Sequence, residues 1–156
     1  MNKDERGPSL EYCGYTDESE IPAIDALVSA DLSEPYSIFT YRYFVSDFPT
    51  LTELAYLEGR LIGCVICRVD EKGRGYVGML AVDKEFRRHK IGVSLVLTVL
   101  QRMKEQGIKQ CVLEAEVDND AALGFYRKLG FVRTKRLEKY YLSGKDAFRL
   151  NKILLG

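Results

Sequence analysis

The 156-residue chain contains no tryptophan, one histidine and four cysteines. A single histidine leaves a zinc site short of ligands. The longest apolar stretch, residues 91–100, is broken by Ser94 and Thr98 and has about half the length of a membrane-spanning helix. Lys plus Arg equals Asp plus Glu at 23 each, so the chain lacks the overall positive charge of a duplex nucleic-acid binder. Any recognition of phosphate must therefore be local.

The first nine residues and the cysteines indicate a cytoplasmic protein. Residues 1–9 are polar and lack the apolar core of a secretory signal, so we expect them to be frayed. Cys13, Cys64, Cys67 and Cys111 are then expected to be reduced thiols. Cys64 and Cys67 have C-x-x-C spacing, but three residues along a strand place their thiols on opposite faces. We expect neither a metal site nor a membrane partner.

No linker or internal repeat divides the chain, so residues 1–156 are predicted to form one domain. Apolar spacing predicts strands at 10–15, 51–57, 61–70, 74–82, 110–117, 131–142 and 147–155, and helices at 20–32, 36–44, 91–106 and 119–129. The last two strands are predicted to form a hairpin that turns at 143–145. This order, βααβββαβαββ, predicts a three-layer α/β domain with a mixed sheet.

A basic loop precedes the third predicted helix, and its residues are Arg87, Arg88, His89, Lys90, Ile91, Gly92 and Val93. Backbone N–H groups at a helix start lack partners within the helix, and the helix dipole favours anions there. Added cations make such a loop suited to a pyrophosphate. The alternative is a solvated basic loop, because short basic runs are common and Gly92 is its one glycine.

Over residues 61–131 the chain resembles the GNAT superfamily of acetyltransferases. The family's Gln/Arg-x-x-Gly-x-Gly/Ala motif binds the pyrophosphate of acetyl-CoA through backbone amides, and Arg87, Lys90 and Gly92 stand at its positions. Lys90 replaces a glycine; its side chain restricts the backbone, while its ammonium can pair with a phosphate. The segments 78–82 and 119–131 also fit the family. The resemblance implies a GNAT fold, with a mostly antiparallel sheet of about seven strands and four helices, and acetyl-CoA as co-substrate.

From about residue 33 to 150 the chain is similar to the N-terminal protein acetyltransferases, and among them to catalytic subunits of the NatC type. The similarity lies in the segments 34–39, 41–44, 114–117 and 136–147. It implies acetyl transfer to the α-amine of protein N-termini that begin with Met and a bulky hydrophobic residue. The implied partners are a peptide or nascent-chain N-terminus and the large and small NatC auxiliary subunits at the ribosome, with no direct contact to nucleic acid.

Acetyl transfer to an α-amine needs a base, because the nucleophile is the neutral amine and its pKa is about 7.7–8.0. Glu114 and Glu116 lie on one predicted strand and, two residues apart, share a face. Strand alternation alone leaves both open as the base, and either could be an edge charge in solvent. The family resemblance favours Glu114.

The resemblance also implies the remaining residues of the site. Tyr126 is the expected general acid for the CoA thiolate, since a phenol with pKa near 10 can donate to developing charge; the alternative is helix packing. Main-chain groups of Leu80, Ala81 and Val82 are expected to bind pantetheine and polarise the thioester carbonyl. Arg87 to Val93 and Asn119 complete the implied cofactor contacts.

Peptide recognition is implied for the loop between the first two helices and for the terminal hairpin. The expected residues are Leu32, Glu34, Pro35, Tyr36, Tyr140 and Tyr141. Their apolar groups would form a pocket for Met and the bulky side chain, with Glu34 holding the amine or backbone N–H groups. The alternative is that these tyrosines serve in packing alone.

Two further functions stay open from the sequence. One is a GNAT enzyme of another specificity: another N-terminal class, a ribosomal-protein acetyltransferase or a lysine acetyltransferase. The other is a CoA-binding subunit without activity, for which Lys90 in the motif is the support. If the protein is an active enzyme, we expect the acetyl group to pass directly from acetyl-CoA to the amine. Cys111 is the candidate for a covalent relay, but its sequence context is typical of a buried strand cysteine.

Overall fold

The computed structural model of this protein describes residues 9–30 and 36–155, without the side chains of Arg88 and His89. The chain divides into two compact units. The first comprises Met1–Arg68 and Gly78–Arg102, and the second comprises Val69–Val77 and Met103–Gly156. That residues 1–156 form a single domain stays a prediction.

Seven strands and four α-helices occur in the described residues, in the predicted order. The strands are β1 (Leu10–Gly14), β2 (Thr52–Leu57), β3 (Arg60–Val69), β4 (Gly75–Val82), β5 (Gln110–Glu116), β6 (Val132–Leu137) and β7 (Ala147–Ile153), and the helices are α1 (Ile21–Ser29), α2 (Ile38–Asp47), α3 (Ile91–Glu105) and α4 (Asp120–Lys128). The sheet order is β1-β2-β3-β4-β5-β7-β6. Strands β4 and β5 pair in parallel, whereas β1–β2, β2–β3, β5–β7 and β6–β7 are antiparallel. The predicted α/β fold with a mixed sheet and four helices is confirmed.

The predicted strand 131–142 is too long at its C-terminal end. Strand β6 stops at Leu137, and the chain to β7 folds back on itself. The carboxylate of Asp146 accepts the Lys139 N–H at 2.8 Å, and the Gly144 N–H donates to the Tyr141 carbonyl at 2.9 Å. The Lys139 N–H and the Arg136 guanidinium hold the pKa of Asp146 below its usual value. A side-chain hydrogen bond and a backbone turn therefore replace the strand ladder here.

The core of the first unit is built by helices packed on strands. Ile24 of α1, Tyr41 of α2 and Leu95 of α3 have no solvent exposure. The Tyr41 hydroxyl donates to Asp25 at 2.9 Å and so joins α2 to α1. None of the helices in the described part of the chain is long and apolar enough to cross a membrane.

Gly78 of β4 lies against the ring of Phe44 in α2. A Cβ added at this glycine would lie 2.5 Å from Phe44 Cε1, far inside van der Waals contact, and Phe44 is itself buried. The close approach of α2 to β4 therefore requires glycine at this position.

We expect Gly78→Ala to lower the free energy of unfolding by about 1–3 kcal/mol, because the added methyl overpacks a filled site. Urea unfolding measures the loss. Gly14→Ala is the matched control, since a Cβ there would meet only the Thr52 carbonyl oxygen, at 4.0 Å. In the double variant with Phe44→Leu the two costs should be less than additive. Equal stabilities of Gly78→Ala and Gly14→Ala would contradict this packing.

The second unit is organised by the pairing of β5 with β7 and by α4. Asn119 caps α4, since its side-chain oxygen accepts the Ala122 N–H at 3.1 Å. Tyr126 of α4 is buried, and Phe131 begins the return to β6 and packs against its ring. This packing fixes α4 within the second unit.

Candidate active site

A buried carboxylate forms the centre of the second unit's polar cluster. The side chain of Glu114 on β5 is 4% exposed. Its Oε1 accepts the Tyr76 hydroxyl at 2.7 Å and the Tyr140 hydroxyl at 2.8 Å. Its Oε2 pairs with the Arg149 Nε at 3.3 Å. A carboxylate so buried requires partners of this kind, and three donors supply them.

Strand register brings these donors together. The antiparallel pairing of β5 with β7 sets Glu114 directly opposite Arg149. The parallel pairing of β4 with β5 sets Tyr76 opposite Val112, two residues before Glu114 on the same side of β5. Tyr140 comes from the folded connection between β6 and β7. Residues from three separate segments thus converge on one carboxylate.

The two tyrosines serve as donors across the physiological pH range. Burial and the hydrogen bond to Glu114 raise the pKa of Tyr76, and the same causes raise the pKa of Tyr140. A phenol's ordinary pKa is near 10, so both hydroxyls stay protonated at neutral pH. Tyr140 is 45% exposed, and its hydroxyl therefore links the buried carboxylate to the surface.

Glu116 lies in different surroundings, although it shares a strand and a face with Glu114. Its side chain is 37% exposed, and it pairs with Lys145 at 3.3 Å. Lys145 also pairs with Asp118 at 3.2 Å, and the hydrogen bonds from Asp118 and Glu116 raise the pKa of the lysine. Glu116 thus belongs to a surface ion-pair cluster, and the structure favours Glu114 of the two alternatives.

Tyr126, the predicted general acid, lies on α4 in the second unit. Tyr126 is 7% exposed. Its ring packs edge-on against the rings of Phe125 and Phe131, with centroid distances of 5.0 Å and 5.4 Å. The Tyr126 ring therefore packs against its neighbours, as the alternative of helix packing predicts. The role of its hydroxyl as the general acid stays a prediction.

The predicted phosphate-binding loop lies in the first unit. Residues Lys84–His89 form a 3-10 helix that Asp83 caps by accepting the Glu85 N–H at 3.0 Å. The Arg87 Nε donates to the Val82 carbonyl at 3.1 Å and anchors the loop to the end of β4. The side chains of Arg88 and His89 lie outside the described part of the chain.

Lys90 follows the loop in the left-handed backbone conformation, with φ 57° and ψ 25°. Glycine adopts this conformation most readily, and glycine is the residue that the family motif has here. Lys90 thus has the backbone conformation that a glycine at this position would adopt without strain. Its exposed side chain adds a cation beside the helix start.

Helix α3 begins directly after this turn. Ile91, the first residue of α3, is buried and so anchors the start of the helix. The Ser94 N–H donates to the Lys90 carbonyl at 3.1 Å. The N–H groups of Ile91, Gly92 and Val93 precede that bond, so the helix itself offers them no acceptor. This donor set, with the turn at Lys90, fits the pyrophosphate of acetyl-CoA.

The other predicted cofactor residues are distributed over both units. Leu80, Ala81 and Val82 end β4 in the first unit, where Ala81 is buried and its two neighbours are partly exposed. Asn119 lies in the second unit, and its side-chain oxygen is occupied by the cap of α4. Its predicted contact to the cofactor would have to use the amide nitrogen.

The predicted peptide pocket is described in part. Leu32, Glu34 and Pro35 lie outside the described residues. Tyr36 is 39% exposed, and its ring meets the edge of Tyr41 at 6.1 Å. In the second unit, Tyr140 and Tyr141 pack edge-on at 5.1 Å. Tyr140, predicted as a pocket wall, is the residue that also touches the predicted base.

The buried cysteines lack the properties of nucleophiles. Burial raises the pKa of Cys111 and of Cys64 to about 12, so both are thiols at neutral pH. The expectation that Cys111 is a packed strand cysteine agrees with its complete burial. Cys67 is buried on the same strand as Cys64.

Sequence reasoning missed Tyr76 and Arg149. Both lie in predicted strands, but single-strand patterns do not say which residue of another strand lies opposite. One signal was available for Arg149: an arginine is rarely buried in a protein unless it is paired, so an arginine in an otherwise apolar strand indicates a partner. For Tyr76 the sequence offered no comparable signal.

Comparison with known proteins identifies the family. Residues 21–131 match the family described as "Acetyltransferase (GNAT) family". The chain belongs to the GNAT acetyltransferase family. Membership confirms the predicted enzyme class, an acetyltransferase that uses acetyl-CoA. The predicted GNAT fold is confirmed with it.

Curated relatives and a solved structure are more specific. The GNAT chain is 47% identical over 144 residues to the Arabidopsis thaliana protein "N-alpha-acetyltransferase MAK3", covering 90% of the chain and 76% of that relative. It is 45% identical over 146 residues to Homo sapiens "N-alpha-acetyltransferase 30", covering 91% of the chain but 40% of the human protein. The solved "NatC complex bound to Gag peptide and CoA" superposes with a TM-score of 0.88 at 39% identity, over 94% of this chain and 99% of that one.

Proposed function

We propose that this GNAT enzyme acetylates the α-amine of protein N-termini and prefers Met followed by a bulky hydrophobic residue, as a NatC-type catalytic subunit. The observation that carries the proposal is the hydrogen bond between Tyr140 and the buried Glu114. It joins a residue predicted to recognise the peptide with the residue predicted to take its proton. Similarity to N-alpha-acetyltransferases of several organisms supports the same function.

Glu114 acts as the general base in this proposal. It takes the proton that the amine loses as the new C–N bond forms, directly or through one water. The Tyr76 hydroxyl and the Arg149 guanidinium hold the carboxylate in place. Fixed partners keep its orientation from one turnover to the next.

Tyr126 acts at the leaving group. As the C–S bond breaks, its hydroxyl donates a hydrogen bond or a proton to the departing sulfur. Attack is direct, and the proposal uses no acyl-cysteine, in accord with the high pKa of Cys111. The products are the acetylated N-terminus and free CoA.

Acetyl-CoA supplies the acetyl group as a thioester. The backbone N–H groups at the start of α3, with Arg87 and Lys90 nearby, are proposed to hold its pyrophosphate. Main-chain groups of Leu80, Ala81 and Val82 are proposed to align the pantetheine and polarise the carbonyl. Asn119 is proposed to contact the same co-substrate through its amide nitrogen.

A cytoplasmic location and assembly with large and small auxiliary subunits complete the proposal. The solved NatC complex carries a catalytic chain similar to this one. We propose that the described chain occupies the same place in an equivalent complex. Co-purification of tagged chain with two further subunits from its own cells would test this part.

A peptide panel tests the specificity. Purified chain is incubated with acetyl-CoA and peptides that begin Met-Leu, Met-Glu or Ser-Glu, and with an N-blocked peptide that carries an internal lysine. Mass spectrometry maps the products, and we expect α-acetylation of Met-Leu above the other three. Acetylation of another peptide would replace the proposed specificity and keep the enzyme class. Acetyl-CoA binding without any product, with auxiliary subunits present, would indicate a CoA-binding subunit.

The contribution of Lys90 to co-substrate binding is separable from its backbone conformation. Lys90→Gln removes the charge and keeps a side chain at the left-handed position, whereas Lys90→Gly removes the charge and also the backbone strain. We expect both variants to weaken acetyl-CoA binding to the same extent, by about 3- to 10-fold, because both lose the ammonium. Calorimetric titration at low and high salt measures the loss, which should shrink as salt rises. A loss in Lys90→Gly alone would mean that conformation, and not charge, sets the affinity.

A further inference from the structure

Helices α1 and α2 of the first unit are joined by three polar side chains where the chain passes from one helix to the other. Helix α1 ends at Ser29, and α2 begins at Ile38. One carboxylate oxygen of Asp25 accepts the Tyr41 hydroxyl at 2.9 Å and the Ser29 hydroxyl at 3.0 Å. We call Asp25, Ser29 and Tyr41 the helix joint. It fixes the last turn of α1 against the first turn of α2.

The helix joint is buried on the side of α2. Tyr41 has no solvent exposure, whereas Asp25 and Ser29 are partly exposed. Burial and the hydrogen bond to Asp25 raise the pKa of Tyr41, so its hydroxyl stays a donor at neutral pH. A buried hydroxyl that loses its acceptor keeps its desolvation penalty, so breaking this bond is unfavourable. Arg42 of α2 also pairs with Glu18, but both side chains are exposed and such pairs contribute little.

Tyr41 also contacts Tyr36, a residue of the predicted peptide pocket. The two rings meet edge-on, with their centroids 6.1 Å apart. Tyr36 lies two residues before α2 and is 39% exposed, so part of its side chain faces solvent. A tyrosine side chain has two χ angles, and an anchored hydroxyl therefore restricts the orientation of the whole ring. The hydroxyl of Tyr41 is held by α1, while its ring supports Tyr36.

We propose that the helix joint positions Tyr36 to contact the first side chains of the peptide, which makes Asp25 and Tyr41 positioning residues for substrate recognition. This inference rests on the proposed function, in which Tyr36 belongs to the peptide pocket. A pocket wall that is already ordered binds its ligand without the cost of ordering it. When the joint is broken, Tyr36 occupies its binding position for a smaller fraction of the time, and the apparent affinity for the peptide falls by that fraction.

A purely structural role is the competing interpretation, since a buried hydrogen bond stabilises any fold. A similar bond at the other end of α1 provides the comparison. The Tyr56 hydroxyl of β2 donates to Glu20 at 2.8 Å, and Glu20 directly precedes the helix. Like the joint, this bond connects a tyrosine with a carboxylate at an end of α1. The length of a nine-residue helix, roughly 13 Å, separates it from Ser29.

Steady-state kinetics of the full chain with the Met-Leu peptide test the role of the joint. Tyr41→Phe keeps the ring and removes the hydroxyl, and we expect it to raise the peptide KM by about 3- to 10-fold. The kcat and the acetyl-CoA affinity should stay within about twofold of wild type, because the change affects peptide binding and not the reacting atoms. Asp25→Ala should raise the KM in the same way. Asp25→Asn keeps an acceptor oxygen and should restore most of the wild-type KM.

Tyr56→Phe is the matched control for Tyr41→Phe. It removes the same hydroxyl from the same kind of hydrogen bond, so urea unfolding should show a loss of stability in both variants. Its peptide KM should stay within about twofold of wild type, because the helix joint is intact. If Tyr41→Phe does not fold, Asp25→Ala and Asp25→Asn give the same comparison at a partly exposed residue.

The outcomes separate this inference from the proposed function. Equal KM values in Tyr41→Phe and Tyr56→Phe, or a loss confined to kcat in Tyr41→Phe, would overturn the inference and leave the proposed function standing. A wild-type chain that acetylates no peptide would refute the proposed function, and the inference with it. A rise in KM that occurs in Tyr41→Phe and Asp25→Ala but not in Tyr56→Phe would support the positioning role.

Discussion

Glu114→Gln is expected to lower kcat for peptide acetylation by about 10²- to 10⁴-fold, the range that a positioned general base contributes. Glutamine keeps the size of the side chain and can still accept from the hydroxyls of Tyr76 and Tyr140. It cannot take a proton from the amine. The peptide KM and acetyl-CoA binding should change little, because the loss falls on the transition state.

Steady-state kinetics with a Met-Leu peptide, together with calorimetric titration of acetyl-CoA, measure this effect. Glu116→Gln is the matched control: it removes a carboxylate from the same strand and the same face, but from a surface ion pair. We expect its kcat to stay within about threefold of wild type, since exposed pairs contribute little. A larger loss in Glu116→Gln than in Glu114→Gln would exchange the two assignments.

Tyr126→Phe is expected to lower kcat by about 10²-fold, the lower end of the range for a general acid. A thiol has a pKa of about 8.5, so its thiolate leaves readily and depends less on full proton transfer than an alkoxide would. The substitution removes only the hydroxyl. The ring contacts with Phe125 and Phe131 are kept, so the free energy of unfolding should change by about 1 kcal/mol or less.

Single-turnover kinetics with preformed acetyl-CoA complex separate the chemical step from product release. Tyr12→Phe removes the hydroxyl of a tyrosine on β1, which is 38% exposed, and serves as the control. An unchanged single-turnover rate in Tyr126→Phe would assign this tyrosine to packing, the alternative that its burial also permits.

The order and type of the secondary-structure elements could be predicted from the sequence because their signals are local. Helix α3 begins at Ile91 as its periodicity predicted, and β5 begins at Gln110. The prediction of β6 to residue 142 was wrong because side-chain bonds from Asp146 compete with the strand ladder. Such bonds depend on a residue beyond the window in which strand periodicity is read.

The sequence predicted the residues of the candidate site better than it predicted their surroundings. The loop around Lys90 and the pair Glu114 and Glu116 stand out in the sequence, as motif and as strand alternation. Their surroundings do not: Glu114 is 4% exposed and Glu116 is 37% exposed. Alternation gives both residues the same face, so it contains no information on which of them a neighbouring segment covers.

By itself, the sequence determined the order and type of the helices and strands, and it indicated a candidate loop for a pyrophosphate and two candidate carboxylates for the base. Those properties follow from neighbours along the chain. Only the tertiary structure decided that Tyr76, Tyr140 and Arg149 converge on Glu114 and that Lys90 adopts the left-handed backbone conformation. Which side chains meet at Glu114 depends on the register between strands and loops that are distant in sequence. The burial of Glu114 depends on which of these segments cover its side chain.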